Sequence, residues 1–406
     1  MDLTYGYYRY NDKIYISRED ALNDMMMRQD WSGEMTFHYH DEVFEGIDWS
    51  VEPPFDINLL YKMRAQQIRD KYPYVILQLS GGVDSTQILE IFLDNKIFID
   101  EIQTFHHHSG TKTLTFDKKS ALFKEVSVLY EYQFAVIPLL KWVREVSPNT
   151  KIVEVDLMPE LISGTSRRTN GELLGQHPIT KGLINPPNIV YNVPRTVTYV
   201  SLTHNIKKIE KDNVCVIRGI EKPALRAFKI NEDTYKLYFN FHDQTMGSTK
   251  FMASGVMPTT FTLESFFWSP EVPLIPVKQC HLIKKRLETD IRFKKLFLYM
   301  KENIIKERDT LIKHTLRHDS SFYQKLERLM YPVIYPSLRN KSMFYGMKPQ
   351  KNNPEFKLLE VLGINHFGEN MKNEYNNHKL KLFEPIINKE QMIDYMRTRR
   401  YHIGNF

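Results

Sequence analysis

The turn Ser80-Gly81-Gly82-Val83-Asp84-Ser85 constrains this chain more than any other feature, because of what flanks it. Before it, Val75-Ile76-Leu77-Gln78-Leu79 is short and mostly branched apolar, the pattern of a strand buried on both faces. After it, Ile88, Leu89, Ile91 and Phe92 recur at helical spacing until Asp94-Asn95. Two glycines let the backbone turn tightly and approach a ligand with no Cβ in the way. The amides that open the following helix point outward with the positive end of its dipole. Ser80, Ser85 and Thr86 add hydroxyl donors. Strand, glycine turn and helix in that order predict an anion site, and the donors suit a phosphate group.

The pattern continues along the chain. Leu59, Leu60, Met63 and Ile68 predict an amphipathic helix over 57–72 that Pro73 ends. Glu101–Phe105, Lys151–Val155 and Val214–Ile217 predict further strands, with a helical stretch near 120–134. Strands alternating with helices predict an α/β fold, a doubly wound and mostly parallel sheet with ligands at the carboxyl ends of its strands. Residues 1–56 are aromatic and acidic, and the short alternating runs Thr4–Tyr8 and Lys13–Ile16 predict a β-rich N-terminal appendage. Residues 57–275 are the expected phosphate-binding domain. From 276 to 406 a basic helical part is expected, with helices over 281–313, 321–330 and 388–398, the last capped by Asn388.

With 406 residues, 42% of them hydrophobic, the chain can bury a large core. No secretory h-region and no long uncharged apolar run is present, so a soluble, cytoplasmic protein without a membrane partner is expected. Cys215 and Cys280 are far apart, which argues against a disulfide framework and excludes a Cys-x-x-Cys metal or sulfur-relay site. The net charge of +6 is unevenly spread. Over residues 1–70 acidic side chains outnumber basic ones, and over 281–317 the reverse holds. A basic helical segment can track nucleic-acid phosphates or form a solvated face.

The turn is not a Walker A loop, for it lacks Gly-Lys-Ser/Thr, nor the spaced Gly-x-Gly-x-x-Gly of dinucleotide sites. It resembles the Ser-Gly-Gly-x-Asp-Ser signature of the PP-loop ATP pyrophosphatases, the superfamily of asparagine, GMP and NAD synthetases and of tRNA lysidine and thiolation enzymes. Over most of the chain the resemblance is to bacteriophage-encoded asparagine synthetase-like proteins, which would place it in a host cytoplasm. It is carried by Arg64–Ile68, Gly219–Pro223, Phe266–Pro270 and Lys278-Gln279.

The resemblance implies a PP-loop (HUP-like) fold, ATP bound with Mg²⁺, and AMP and pyrophosphate as products. A substrate would be adenylated and then attacked by ammonia or an amine. It implies that Ser80, Gly81, Gly82, Val83, Asp84, Ser85 and Thr86 hold pyrophosphate, joined by Gly219, Glu221 and Lys222. Asp84 and Lys222 would serve catalysis, and Asp84 and Glu221 would meet Mg²⁺. Only Gly219 and Glu221 match the second family turn, which ends in an Asp-Glu pair absent here. Leu79, Thr104, Phe105 and His106 would lie near adenine.

Asp2 stands where glutamine-dependent asparagine synthetases carry their nucleophilic Cys, so ammonia would come from an external source. Two other readings remain: a tRNA- or DNA-modifying enzyme using the basic helices, and a nucleotide-binding protein without turnover. Three further candidates are the run His106-His107-His108, for metal or nucleotide contact, and Gly175–Pro178 and Asn240–Asp243 for substrate contacts. Phe266, Phe267 and Trp268 offer rings for stacking a base, or a core cluster.

Overall fold

A computed structural model describes residues 3–16, 18–28, 35–106, 108–111, 130–156, 212–219, 223, 225–242, 261–299, 329–335 and 397–406. Its strands in chain order are β1 (Tyr7–Tyr10), β2 (Lys13–Tyr15), β3 (Met35–His38), β4 (Tyr74–Gln78), β5 (Glu101–His106), β6 (Lys151–Asp156), β7 (Val214–Arg218), β8 (Leu225–Lys229), β9 (Tyr235–Phe239), β10 (Phe261–Ser265) and β11 (Tyr401–Asn405).

The order β10-β7-β4-β5-β6 builds an all-parallel sheet, and with its helices the architecture is α/β. The chain lays down β4, β5 and β6 in one direction and β7 and β10 in the other, so strand order reverses between β4 and β7. Side chains alternate across the sheet. Val75, Leu77, Ile102, Cys215 and Ile217 share one core with Leu60 and Ile68 of the helix Ile57–Lys71 and with Ile88, Leu89 and Phe92 of the helix Val83–Asp94. Tyr74, Ile76, Val214, Val216 and Leu263 turn to the opposite face, where Tyr5 packs against them. Burial on both faces explains why β4 and β7 read as unbroken apolar runs.

The helix Ile57–Lys71 starts where the Asp56 side chain accepts the Asn58 N–H at 2.8 Å. It stops before Pro73, with Tyr72 already extended. At its middle Arg64 is fully buried. Its Nη2 donates to Glu264 Oε2 at 2.6 Å and to the Ser265 carbonyl at 2.7 Å, and Lys71 Nζ reaches Glu264 Oε1 at 3.0 Å. The Tyr72 hydroxyl donates to the same carboxylate. Glu264 lies on β10, so this charged cluster fastens an outer strand of the sheet to the helix.

The N-terminal residues hold a small antiparallel sheet in the order β2-β1-β3, and also two helices, Arg18–Arg28 and Asp41–Phe44, that the sequence pattern does not announce. A second small antiparallel sheet has the order β11-β9-β8.

The C-terminal expectation needs two corrections. Residues 281–299 are not one helix: Leu274–Thr289 ends at Asp290, whose Oδ1 accepts the Arg292 and Phe293 N–H groups at 3.0 Å and starts a new helical run over 291–299. Residues 397–398 are not helical, because Arg397 bridges His242 and the Thr398 hydroxyl accepts the Phe241 N–H at 3.0 Å, leading into β11. The expected helices over 300–328 and from Asn388 lie outside the described residues. No helix among the described residues is long and apolar enough to cross a membrane.

Candidate functional site

Leu79 leaves β4 by donating its N–H to the Gln103 carbonyl at 2.8 Å and is itself buried in the core. The chain then turns at Gly81, whose φ of 81° lies in the left-handed region that favours glycine. A Cβ there would stand 2.8 Å from Val136 Cγ2 and 3.1 Å from Ala135 Cβ. Gly82 is the N-cap residue of the helix Val83–Asp94 and has no side chain with which to cap it. The amides that open a helix have no partner within it and are satisfied by side chains, water or a ligand.

Within the turn, Ser80 and Ser85 hydroxyls meet at 3.2 Å, Gly82 N–H donates to Ser80 Oγ at 3.2 Å, and Ser85 Oγ donates to the Gly82 carbonyl at 3.2 Å. Ser80 is exposed, whereas Val83, Asp84, Ser85 and Thr86 are buried. The Asp84 side chain reaches away from its own segment. Its Oδ1 accepts the Tyr335 hydroxyl at 2.7 Å. Tyr335 belongs to a cluster in which the Tyr61 hydroxyl donates to the Ile334 carbonyl at 2.7 Å and accepts from Gln279 Nε2 at 2.9 Å.

Gly219 follows β7 and meets the turn from the other side. A Cβ on it would lie 2.7 Å from Ile88 Cδ1 and 3.0 Å from the carbonyl carbon of Asp84, so this approach requires glycine. The two glycine segments singled out in the sequence therefore come together where the strand order reverses. Glu221 and Lys222 lie outside the described residues.

The described end of the helical stretch expected near 120–134 covers the turn from a third side. Tyr132–Val136 forms a π-helical turn running into the helix Ile137–Val146, and Pro138, which has no N–H to donate to a preceding turn, follows it. Glu131 beside it brings its Oε1 within 3.8 Å of where a Gly82 Cβ would be. Tyr132 stacks on His106 with ring centroids 3.7 Å apart, so one element touches both the glycine turn and the end of β5.

The residues expected near adenine divide between the two faces of β5. Thr104 and His106 alternate with Phe105, which packs on the opposite face with Tyr74 and Ile76. Thr104 is buried, and its Oγ1 has no hydrogen-bond partner among the described residues. Burial pushes the His106 pKa below its ordinary value, against the pull of Asp156, whose Oδ2 lies 4.0 Å from Nδ1. His108 donates its backbone N–H to His106 Nδ1 at 3.2 Å, and His107 lies outside the described residues. Among the described residues no three His, Cys, Asp or Glu side chains gather to hold a metal. Asp84 in the turn and Glu131 near Gly82 are both carboxylates, the ligand type that Mg²⁺ takes together with substrate phosphates.

The aromatic run is core. Phe266, Phe267 and Trp268 have no exposed surface, and the Trp268 carbonyl accepts the Tyr39 hydroxyl at 2.7 Å, so these rings stack no base. Asn240 and Phe241 are buried beside them, and burial, with Arg397 adding to it, pushes His242 down to about 4. Residues 175–178 and Asp243 lie outside the described residues. Comparison with known proteins returns no matching family model and no curated relative.

Proposed function

We propose that this chain binds ATP at the Ser80–Ser85 turn and cleaves it between the α and β phosphates, activating an acceptor for attack by ammonia or an amine. The observation that carries the reading is the meeting of that turn with Gly219 between β4 and β7. Ligands of doubly wound sheets sit at the strand ends where the order reverses, and this sheet has a compatible order.

The opening amides of the helix Val83–Asp94 would hold pyrophosphate oxygens, with the Ser80 hydroxyl at the open side. A turn that binds pyrophosphate stabilises the leaving group best when the α-phosphate is attacked. Mg²⁺ would be held by Asp84 together with phosphate oxygens and would neutralise charge on the phosphates. Thr104 and His106, on one face of β5, would lie toward the base.

The test is product analysis by anion-exchange chromatography of α-labelled ATP incubated with Mg²⁺, ammonium and candidate acceptors. AMP appearing with pyrophosphate supports the reading, and ADP with phosphate overturns it. ATP binding with no turnover on any acceptor favours a nucleotide-binding protein.

A further inference from the structure

The small sheet β11-β9-β8 covers the core with one face only. Leu225, Leu237, Phe239, Tyr401 and Ile403 point inward and are buried. Its outer face shows two rows set by the register. Arg226, Tyr238 and His402 stand side by side across the three strands, and Phe228 stands beside Lys236 in the next row. Phe228 is 39% exposed, and Lys236, Arg400 and His402 are exposed.

These rings and cations are arranged relative to one another. Phe228 meets Tyr238 edge to face at 5.5 Å, and Tyr238 meets His402 at 5.1 Å, so the three rings form a continuous strip. The Arg400 guanidinium lies over the Phe228 ring, 4.9 Å from its centre. No carboxylate stands on β8, β9 or β11, and those of the connecting hairpin, Glu232 and Asp233, lie in its turn. The basic helical region meets the sheet from its other side, where Lys284 packs on Gly404, the register partner of inward Leu237, and Lys294 lies over the rings of Tyr235 and Phe406, so the outer face carries its own cations.

We propose that this outer face binds single-stranded nucleic acid. Cations beside a strip of rings match a chain that alternates phosphates with flat bases. A duplex keeps its bases stacked inside and cannot lay them on a flat sheet, so the rings favour a single strand. The site is separate from the glycine turn and stands whether or not that turn cleaves ATP.

Fluorescence anisotropy with labelled oligo-dT and oligo-U at low salt tests this. Binding is expected to weaken with added salt. The double variant Phe228→Ala/Tyr238→Ala should lose about a hundredfold in affinity, about tenfold for the base stacked on each ring. Tyr238→Phe, which keeps the ring, should retain binding. Lys236→Glu and Arg400→Glu should each flatten the salt dependence, by about 0.7 in log–log slope for every phosphate the variant no longer neutralises. Circular dichroism and melting confirm that each variant is folded.

No binding at low salt overturns the proposal. So does an equal affinity for duplex DNA that ignores the ring variants, or binding abolished by Lys284→Glu/Lys285→Glu while the ring variants leave it unchanged. ATP cleavage in the absence of oligonucleotide should be the same in all of the face variants, which separates this test from that of the glycine turn.

Discussion

Tyr335 donates its hydroxyl to Asp84 Oδ1 at 2.7 Å across 251 residues of sequence. Both side chains are buried, so removing the donor takes a hydrogen bond from a buried carboxylate at about 1–3 kcal/mol. Tyr335→Phe should lower the melting temperature by several degrees and weaken ATP binding measured by calorimetry. Asp84→Asn should bind ATP less tightly with Mg²⁺ present and show little change without it. A Tyr335→Phe protein as stable as the parent would show that this bond does not hold the turn.

Gly219 and Gly81 give a paired prediction. Gly219→Ala puts a methyl 2.7 Å from Ile88 Cδ1 and against the Asp84 backbone, so the turn itself must shift. Gly81→Ala meets Val136 and also forces alanine to the φ of 81°. Each should destabilise by about 1–3 kcal/mol, read from urea denaturation. Both should lower ATP affinity, whereas Gly46→Ala, which meets nothing closer than 3.6 Å, should leave affinity unaltered.

The charged cluster around Arg64 sets an acid limit. Burial works to raise the Glu271 pKa, but the Ser269 hydrogen bond, Arg64 and Lys71 outweigh it and hold it at about 2, against an ordinary 4.5. The folded state therefore favours the ionised form. Its contribution is complete above pH 4.5 and is lost as pH falls toward 2. Solvent reaches part of the side chain, so the amount is discounted to about 1–2 kcal/mol. Glu271→Gln should flatten stability against pH within that window. An unchanged acid limb would place the loss in other carboxylates.

Both cysteines are fully buried, and burial pushes their thiols well above the ordinary range. Neither should react with a thiol reagent in the native protein within hours, and both should react at once in guanidinium. Fast labelling of either in the native state would mean that the core around β7 or the helix Leu274–Thr289 opens locally.

Periodicity made the parallel sheet legible: β4, β5, β6 and β7 each fall within a residue of their expected bounds, because short apolar runs between turn signals leave few other structures. The turn at Gly81 and its neighbour Gly219 were also legible, since both depend on glycine. The rest of the site was not. Tyr335, Glu131 and the π-helical turn reach the glycine turn only through tertiary packing, which leaves no local pattern. The Phe266–Trp268 run misleads for the converse reason, because rings suited to stacking bases are equally suited to a core. The break at Asp290 is hidden in a continuous apolar periodicity, although an Asp within one is a known start signal.

Pairing β9 with β11 brings Asn240 within 3.4 Å of the carbonyl of a residue 158 positions away. On a ribosome, roughly ten to thirty seconds pass between the synthesis of the two strands. During that time β9 has a neighbour on one side, β8, and an open row of backbone donors and acceptors on the other. Its inward residues Leu237 and Phe239 also wait for Tyr401 and Ile403 to complete their cover. The nascent chain thus carries an unfinished sheet edge beside apolar side chains, the kind of surface on which foreign strands add and chaperones act.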